Sequence, residues 1–398
     1  MSQYALDDVR VLDFTRVLAG PLATMLLADL GADVIKIEHV TAGDDTRQWG
    51  PPWQGMMSAY FASVNRNKRS LALNLKSEHG VQIARQLATE SQIVVENFKV
   101  GQMASFGLGY DELSALNPAL VYCSITGFGQ TGSLSQYPGY DYAIQAMSGL
   151  MSITGEREGE PHKVGVAISD VIAGLSANTA ILSALHHARN TGQGQYIDIA
   201  LLDTQIASLV NIASNYLVSS QNPPRYGNQH QNIVPYQTFR ASDQPFVLAV
   251  GNDRQFRVLC HLIQLPDLPD DERFATNPAR VAHRDTLIPI LQDVFVLQSA
   301  SHWVQLLLDA GIPSGSINTI EQALNMPHIH ERNLVKSVKL TDGDTLKLVA
   351  SPLKLSQTPP TIRMPPPQLG EHTDAILQEQ LGLSTDEIAS LRRQQVIR

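Results

Sequence analysis

Cysteine is nearly absent, with Cys123 and Cys260 the only two in 398 residues. They lie far apart, so neither a disulfide framework nor a Cys-based zinc site is supported. No apolar run reaches the roughly 20 residues that a membrane helix needs. The opening stretch Met1-Ser-Gln-Tyr-Ala-Leu-Asp-Asp carries no basic n-region and no apolar h-region. The expectation is a cytoplasmic protein with no membrane partner. Positive charge is in deficit, 29 Lys and Arg against 38 Asp and Glu, a formal net charge of −9. That balance argues against general nucleic-acid binding. An anionic ligand held by local cations and helix N-termini stays compatible with it. Internal repeats are also missing.

Several catalytic signatures are absent too. No G-x-S-x-G occurs, and Ser169 lacks those flanking glycines. Gly127-Phe-Gly129-Gln-Thr-Gly132 matches G-x-G-x-x-G, but Ser133–Gly139 behind it is loop chemistry rather than a helix start. The first βα turn, where a dinucleotide fingerprint belongs, holds only Gly20. His186-His187 are adjacent on a helix, so their rings diverge. His328-x-His330 beside Pro327 reads as a surface turn. No metal site is expected.

What is present is ordinary globular composition, 43% hydrophobic and 17% charged. At this length one core usually splits, so two domains are expected. Val9–Thr15 reads as a buried strand, Pro21–Gly31 as a helix and Asp33–Glu38 as a strand. Ser70–Leu75, Ile93–Asn97, Leu120–Thr126 and Tyr196–Ile199 continue the strands. Helical spacing falls between them at Glu78–Thr89, Val100–Phe106 and Tyr110–Asn117. This alternation predicts an α/β fold with a doubly wound parallel sheet, and ligands bind at the carboxyl ends of such strands. Asp141–Ser152 and Leu201–Ser219 read as helices. Composition shifts at Ser220–Gln231, placing a boundary after a large domain, 1–220. Tyr236–Arg240 and Phe246–Val250 pair as a hairpin in a smaller α+β domain, 226–325. Residues 326–398 supply two strands, a proline-rich linker at Pro359–Pro367 and two closing helices.

The stretch Val164–Gly174, V-G-V-A-I-S-D-V-I-A-G, carries a lone carboxylate, Asp170. Val164–Ile168 has strand-like β-branched content and the helix is expected from Leu175. Taken alone, Asp170 at such a junction reads first as an N-cap and second as a nucleophile. The carboxyl-end loops also concentrate Arg16, Arg47, Arg66, Lys68, Arg69 and Lys99. Solvated loop charge is one reading of that set; a polyanion site is the other.

At these residues the chain resembles the class III, formyl-CoA-transferase-type CoA-transferases. The likeness is carried by V-L-D-F-T-R-V-L-A-G-P at 11–21, A-D-L-G-A-D-V-I-K-I-E at 28–38, G-D-D-T-R at 43–47, N-R-N-K-R-S at 65–70, V-E-N-F at 95–98, G-L-G-Y-D-E-L at 107–113 and V-G-V-A-I-S-D-V-I-A-G-L at 164–175. W-G-P-P at 49–52, Y-C-S-I-T-G-F-G-Q-T-G at 122–132, N-Y-L at 215–217 and I-V-P-Y-Q-T-F at 233–239 look most like the succinyl-CoA:glutarate branch. The resemblance implies a Rossmann-like CoA-binding domain in an interlocked, ring-like homodimer. It implies coenzyme A and acyl-CoA as substrates, a carboxylic acid as the partner substrate, and no metal or redox cofactor. It places Asp170 on the catalytic aspartate. Val17, Leu18, Ala19, His39, Leu73, Lys76, Asn97, Phe98, Lys99, Tyr140 and Asp141 fall on CoA-contacting or active-site positions. A dicarboxylic substrate would need a cation at its far end, and Arg47, Arg66, Arg225 and His230 are candidates; Tyr236 is a further candidate contact.

Leu18, Ser105 and the loop Gly227-Asn-Gln-His-Gln-Asn232 depart from the formyl-CoA type. That loop is either a lid or a plain interdomain linker. Gly139-Tyr140-Asp141 lacks the His that related racemases place before the Asp, which favours transfer over epimerisation. The expected chemistry moves CoA from an acyl-CoA donor, succinyl-CoA for this branch, through an aspartyl-acyl anhydride and an aspartyl-CoA thioester. The alternatives are a 2-methylacyl-CoA racemase-like enzyme and a non-catalytic CoA-binding protein.

Overall fold

The computed structural model describes residues 3–398. Six strands form the main sheet: β1 (Arg10–Asp13), β2 (Asp33–Glu38), β3 (Lys68–Ala72), β4 (Ile93–Glu96), β5 (Val121–Thr126) and β6 (Gln195–Ala200). Their order is 3-2-1-4-5-6 and every pairing is parallel. The central strands are buried on both faces, as continuous Val and Ile runs require. The order reverses between β1 and β4, the crevice where doubly wound sheets bind ligands.

Two compact units emerge. The larger contains everything up to Leu150, Lys163–Gln221 and His328–Arg398; the smaller contains Met151–His162 and Asn222–Pro327. The short segment at 151–162, which composition alone leaves with the large domain, belongs to the smaller unit. In that unit a three-stranded antiparallel sheet packs an aromatic core of Phe239, Phe246, Phe295 and Trp303. Arg280, fully buried, holds its rim by donating to the carbonyls of Val234 and Phe274 and to Asp253.

Three helices of the larger unit matter most: α1 (Ala19–Asp29), α2 (Asp141–Met147) and α3 (Ile168–Thr191). Val164–Ile168 is not a strand. Among the described residues no partner strand lies beside it, and the helix begins at Ile168 rather than Leu175. β-Branched content is a weak prior that tertiary context overrides. By length and composition α3 is long and apolar enough to cross a membrane. Its small and apolar residues Ala173, Ala177, Ile181, Ala184 and Ala188 lie buried in the core beside α1. Leu201–Ser219 is two helices, Leu201–Ala207 and Val210–Ser219, broken where Val210 takes a positive φ of 36°.

The late part of the chain is stitched into the early part. The Asn67 side chain donates to Asp29 and to the Thr361 carbonyl, and accepts from the N–H groups of Arg363 and Met364. Leu73 forms an antiparallel bridge with Ile397, and the Asn74 N–H donates to the Val396 carbonyl.

Candidate active site

The turn Arg16–Gly20, between β1 and α1, rests on buried charge. Lys68 is fully buried, 3.0 Å from Asp13, and donates to the Pro21 carbonyl and to Asn65. Lys36, equally buried, lies 3.0 Å from Asp44 and donates to the Thr15 carbonyl at 2.7 Å. Burial opposes every one of these charges, and pairing decides how each group resolves. Lys68 is pushed down to about 8 by burial against the pull of Asp13. Burial works against Asp44, yet Lys36 and the Thr46 donors hold its carboxyl at about 2. Lys36, despite burial, is raised by Asp44, Asp13 and Glu38.

Above this foundation the backbone is held by side chains. The Thr15 N–H donates to Asp13, the Arg16 N–H to Asn97 Oδ1 and the Val17 N–H to Asp44 Oδ1. Asn97 Nδ2 donates back to the Arg16 carbonyl at 2.7 Å. Val17 sits at φ 71°, a strained conformation for a β-branched residue. A Cβ at Gly20 would lie 2.4 Å from the Thr15 side chain, so only glycine fits there. The chain then enters α1 with Ala19 as its first helical residue.

Asp170 lies in the first turn of α3 and does not cap it. The N-cap position is Ala167, which offers no side chain to the helix. Asp141 takes the capping role from 28 residues away: its Oδ1 accepts the Ser169 N–H at 2.9 Å and its Oδ2 is held by Gln145. The Asp170 carboxylate is thereby released from local bonding. It lines the same cleft as Ala19, the first residue of α1, whose N–H lowers its pKa, so two helix N-termini meet at this cleft. Burial and the neighbouring Asp141 charge outweigh that N–H and raise Asp170 to about 6. Close approach of α1 depends on Gly174, where a Cβ would meet the Ala19 carbonyl oxygen at 2.7 Å.

Two clefts of about 200 and 180 Å³ adjoin this turn. The first brings together Val17, Ala19, Asn97, Phe98, Lys99, Tyr140 and Asp170. The second, mostly apolar, brings together His39, Leu73, Lys76 and Phe98. Arg16 and Phe98 wall both, with the Arg16 guanidinium 5.0 Å over the Phe98 ring. Beneath Phe98, Glu96 accepts its N–H and a hydroxyl bond from Ser124; burial raises this carboxyl to about 7.

Not every expected residue joins the clefts. Leu18 occupies the N-cap of α1 and lines neither cleft. Asp141 is the helix cap just described. Arg47 is not a free cation: it makes a two-pronged pair with Glu38 at 2.7 Å, donates to the Pro367 carbonyl and stacks 3.7 Å over Phe61. Arg66 is equally committed, to Asp29 and the Val349 carbonyl. Arg69 pairs with Asp33 and Glu379, and Lys68 with Asp13. Of the six loop cations, Arg16 and Lys99 line the Asp170 cleft.

His230, Tyr236 and Arg225 belong to the smaller unit. Arg225 donates to the carbonyls of Glu156 and Gly159. The His230 ring lies 5.1 Å from Tyr236, and burial beside Arg284 lowers its pKa. Arg284 also donates to the Gln229 side chain and to the carbonyls of His230 and Gln231, so the loop Gly227–Asn232 is braced by its own unit. Among the described residues no cluster of His, Cys, Asp or Glu is arranged to hold a metal.

Sequence reasoning missed the structural parts of the site: Asp44, the two buried lysine pairs, Gly174 and the capping by Asp141. A buried Lys in a strand, such as Lys36 within D-V-I-K-I-E, was the one available signal.

Comparisons with known proteins place the chain in a family. The family model described as CoA-transferase family III matches residues 6–373. Succinate–glutarate CoA-transferase of Agrobacterium fabrum is 45% identical over 380 residues, covering 94% of this chain and 95% of that protein. Succinyl-CoA:glutarate CoA-transferase of Homo sapiens is 43% identical over 386 residues, covering 97% and 88%. Among solved structures, a CAIB/BAIF family protein from Brucella suis is 42% identical with a TM-score of 0.83, covering 95% of this chain and 100% of that one. With an isolated, released aspartate beside a two-chambered cleft and matches of this extent, the chain belongs to CoA-transferase family III and is a CoA-transferase.

Proposed function

We propose that the protein transfers CoA from succinyl-CoA to a carboxylic acid, a dicarboxylate such as glutarate being the preferred acceptor, with Asp170 as the nucleophile. The observation that carries this reading is the placement of Asp170 in a cleft that shares Arg16 and Phe98 with the apolar cleft of His39, Leu73 and Lys76. One chamber suits the nucleotide end of CoA, with Lys76 and His39 as its cationic and polar wall. The other suits the thioester. The donor and acceptor come from the two named relatives.

The steps balance without a proton. A carboxylate oxygen of Asp170 attacks the donor thioester carbonyl, the C–S bond breaks, and CoA leaves as thiolate from a mixed anhydride. The thiolate attacks the aspartyl carbonyl, the anhydride C–O bond breaks, and succinate departs from an aspartyl-CoA thioester. The acceptor carboxylate attacks that thioester and releases the thiolate. The thiolate then attacks the acceptor acyl carbon and regenerates Asp170. A carboxylate whose pKa stands near 6 is ionised at neutral pH and more basic than an ordinary Asp, which strengthens its attack. The Ala19 N–H, which acts on the Asp170 carboxylate, is a donor for the tetrahedral oxyanions.

A panel of carboxylic acids with succinyl-CoA as donor tests the substrate assignment; strong preference for a monocarboxylate would overturn it. Asp170→Asn and Asp170→Ala test the nucleophile. Both are expected to abolish transfer and keep CoA binding, and full transfer by either removes the reading. Hydroxylamine trapping should label the Asp170 peptide after exposure to acyl-CoA.

We also propose the homodimer of interlocked rings. Supporting it, the larger unit leaves apolar side chains in water: Val210, Leu217 and Val218 are 66, 76 and 89% exposed, and Leu175 is 50% exposed. A monomer in light scattering, or exchange between differently tagged dimers without unfolding, would count against it.

A further inference from the structure

Asn97 stands where the resemblance implies a CoA contact, at the carboxyl end of β4 on the far side of the sheet's switch point from β1. Its side chain is otherwise engaged. Oδ1 accepts the Arg16 N–H at 2.9 Å and Nδ2 donates to the Arg16 carbonyl at 2.7 Å. The amide thus imitates a strand pairing across the crevice, where β1 has ended and no strand is left to satisfy Arg16. The next residue, Val17, is the strained one, at φ 71°. A β-branched side chain disfavours that region, and such a conformation persists only where its surroundings over-determine it. Here the bonds on either side do so: Asn97 on Arg16, and Asp44 on the Val17 N–H. Two residues later comes Ala19, which lines the same cleft as Asp170 and whose N–H lowers the pKa of that carboxylate.

We propose that Asn97 is a positioning residue for Asp170: by clamping both polar groups of Arg16 it holds Val17 left-handed and keeps the Ala19 N–H against the carboxylate. The inference rests on Asp170 being the nucleophile. Its reach is specific. Asn97 acts through the turn rather than on the thioester, so its loss changes how Asp170 is held before it changes how CoA is held. Glu96 secures the same loop from below through the Phe98 N–H, which keeps Asn97 at fixed height on the crevice.

The experiment compares wild type, Asn97→Ala and the double variant Asn97→Ala with Val17→Gly, using succinyl-CoA and glutarate. Wild type should show an acid limb near pH 6. In Asn97→Ala the limb moves up by about half a unit or more, because the Ala19 N–H that lowers the Asp170 pKa is lost. The kcat should fall tenfold or more, while the Kd for free CoA changes less than threefold. Glycine adopts φ above zero at no steric cost, so Val17→Gly in the Asn97→Ala background should recover part of the kcat and return the limb toward pH 6. A clamp that serves only stability would lower the melting temperature without moving the limb. An effect confined to KM for acyl-CoA would make Asn97 a CoA contact. A double variant no better than Asn97→Ala would remove the strain argument. Each of those three results overturns the inference. Transfer surviving Asp170→Asn instead overturns the nucleophile reading, a separate outcome.

Discussion

Asp170→Asn should make the protein more stable as it makes it inactive, and the gain should depend on pH. The folded state raises the Asp170 pKa from 3.8 to about 6, chiefly through burial, then through Asp141. The folded chain therefore holds this proton more tightly than the unfolded chain does. The cost of burying the charge is nearly absent at pH 4, grows as pH rises from about 4 to 6, and is constant above that. A shift of about two units corresponds to at most about 3 kcal/mol at pH 8 and to well under 1 kcal/mol at pH 4. Asparagine has the same shape, keeps an oxygen for the Ala19 N–H, and carries no charge to repel Asp141. With about 2–4 °C per kcal/mol for a unit of this size, the melting temperature should rise by roughly 6–12 °C at pH 8 and by about a degree at pH 4. Thermal melts at the two pH values, with CoA binding as the check on folding, read this directly. A variant that melts with wild type at pH 8, or gains equally at both pH values, refutes the electrostatic account of the site. The comparison also exposes a trade of stability for activity at the proposed nucleophile.

Other perturbations follow from the same geometry. Gly174→Ala puts a Cβ 2.7 Å from the Ala19 carbonyl oxygen, a backbone atom that cannot swing aside; a loss of about 1–3 kcal/mol in urea melts and a lower kcat are expected, and wild-type stability would show that α1 and α3 can separate freely. Asp44→Ala leaves Lys36 buried without its main partner, costing about 3–5 kcal/mol. Because Asp44 is depressed to about 2, its contribution in the wild type is present above about pH 4 and is lost as pH falls toward 2, so variant and wild type should converge in acid melts. Glu96→Gln should preserve the Phe98 N–H bond and gain stability above pH 7. Burial raises that carboxyl from 4.5 to about 7, so the wild type loses stability across that interval as pH rises; equal pH dependence in the two proteins would contradict this.

The sheet was legible because its strands alternate with helices at regular intervals and run apolar throughout, the pattern of a parallel sheet covered on both faces. The hairpin at Tyr236–Ala249 announced itself through the polar turn between its strands. Asp170 was legible only in company: alone it resembled a cap, and the true cap, Asp141, is remote in sequence. The start of α3 was misread because Val164, Val166 and Ile168 favour strands, while no neighbouring strand exists to pair them. Charge was the least legible feature. Arg47, Arg66, Lys68 and Arg69 resembled a ligand site because their acids, Glu38, Asp29, Asp13 and Asp33, stand 9 to 55 positions away. Whether a loop cation is free depends on folding that brings such partners in, which no local pattern records.

The bridge between Leu73 and Ile397 has a consequence for the timing of synthesis. Leu73 walls the apolar cleft, and its neighbour Asn74 is held by Val396. At about 5–20 residues per second, the ribosome reaches position 397 roughly 20–60 s after position 73. Residues 364–373 cover the outer edge of β3 first, and throughout that interval Leu73 and Asn74 stand without their partners. A nascent chain stalled near residue 380 should therefore be sensitive to protease around Leu73 and Asn74 and should bind CoA poorly. Release of the remaining residues would complete the wall, so the apolar cleft is among the last parts of the larger unit to mature.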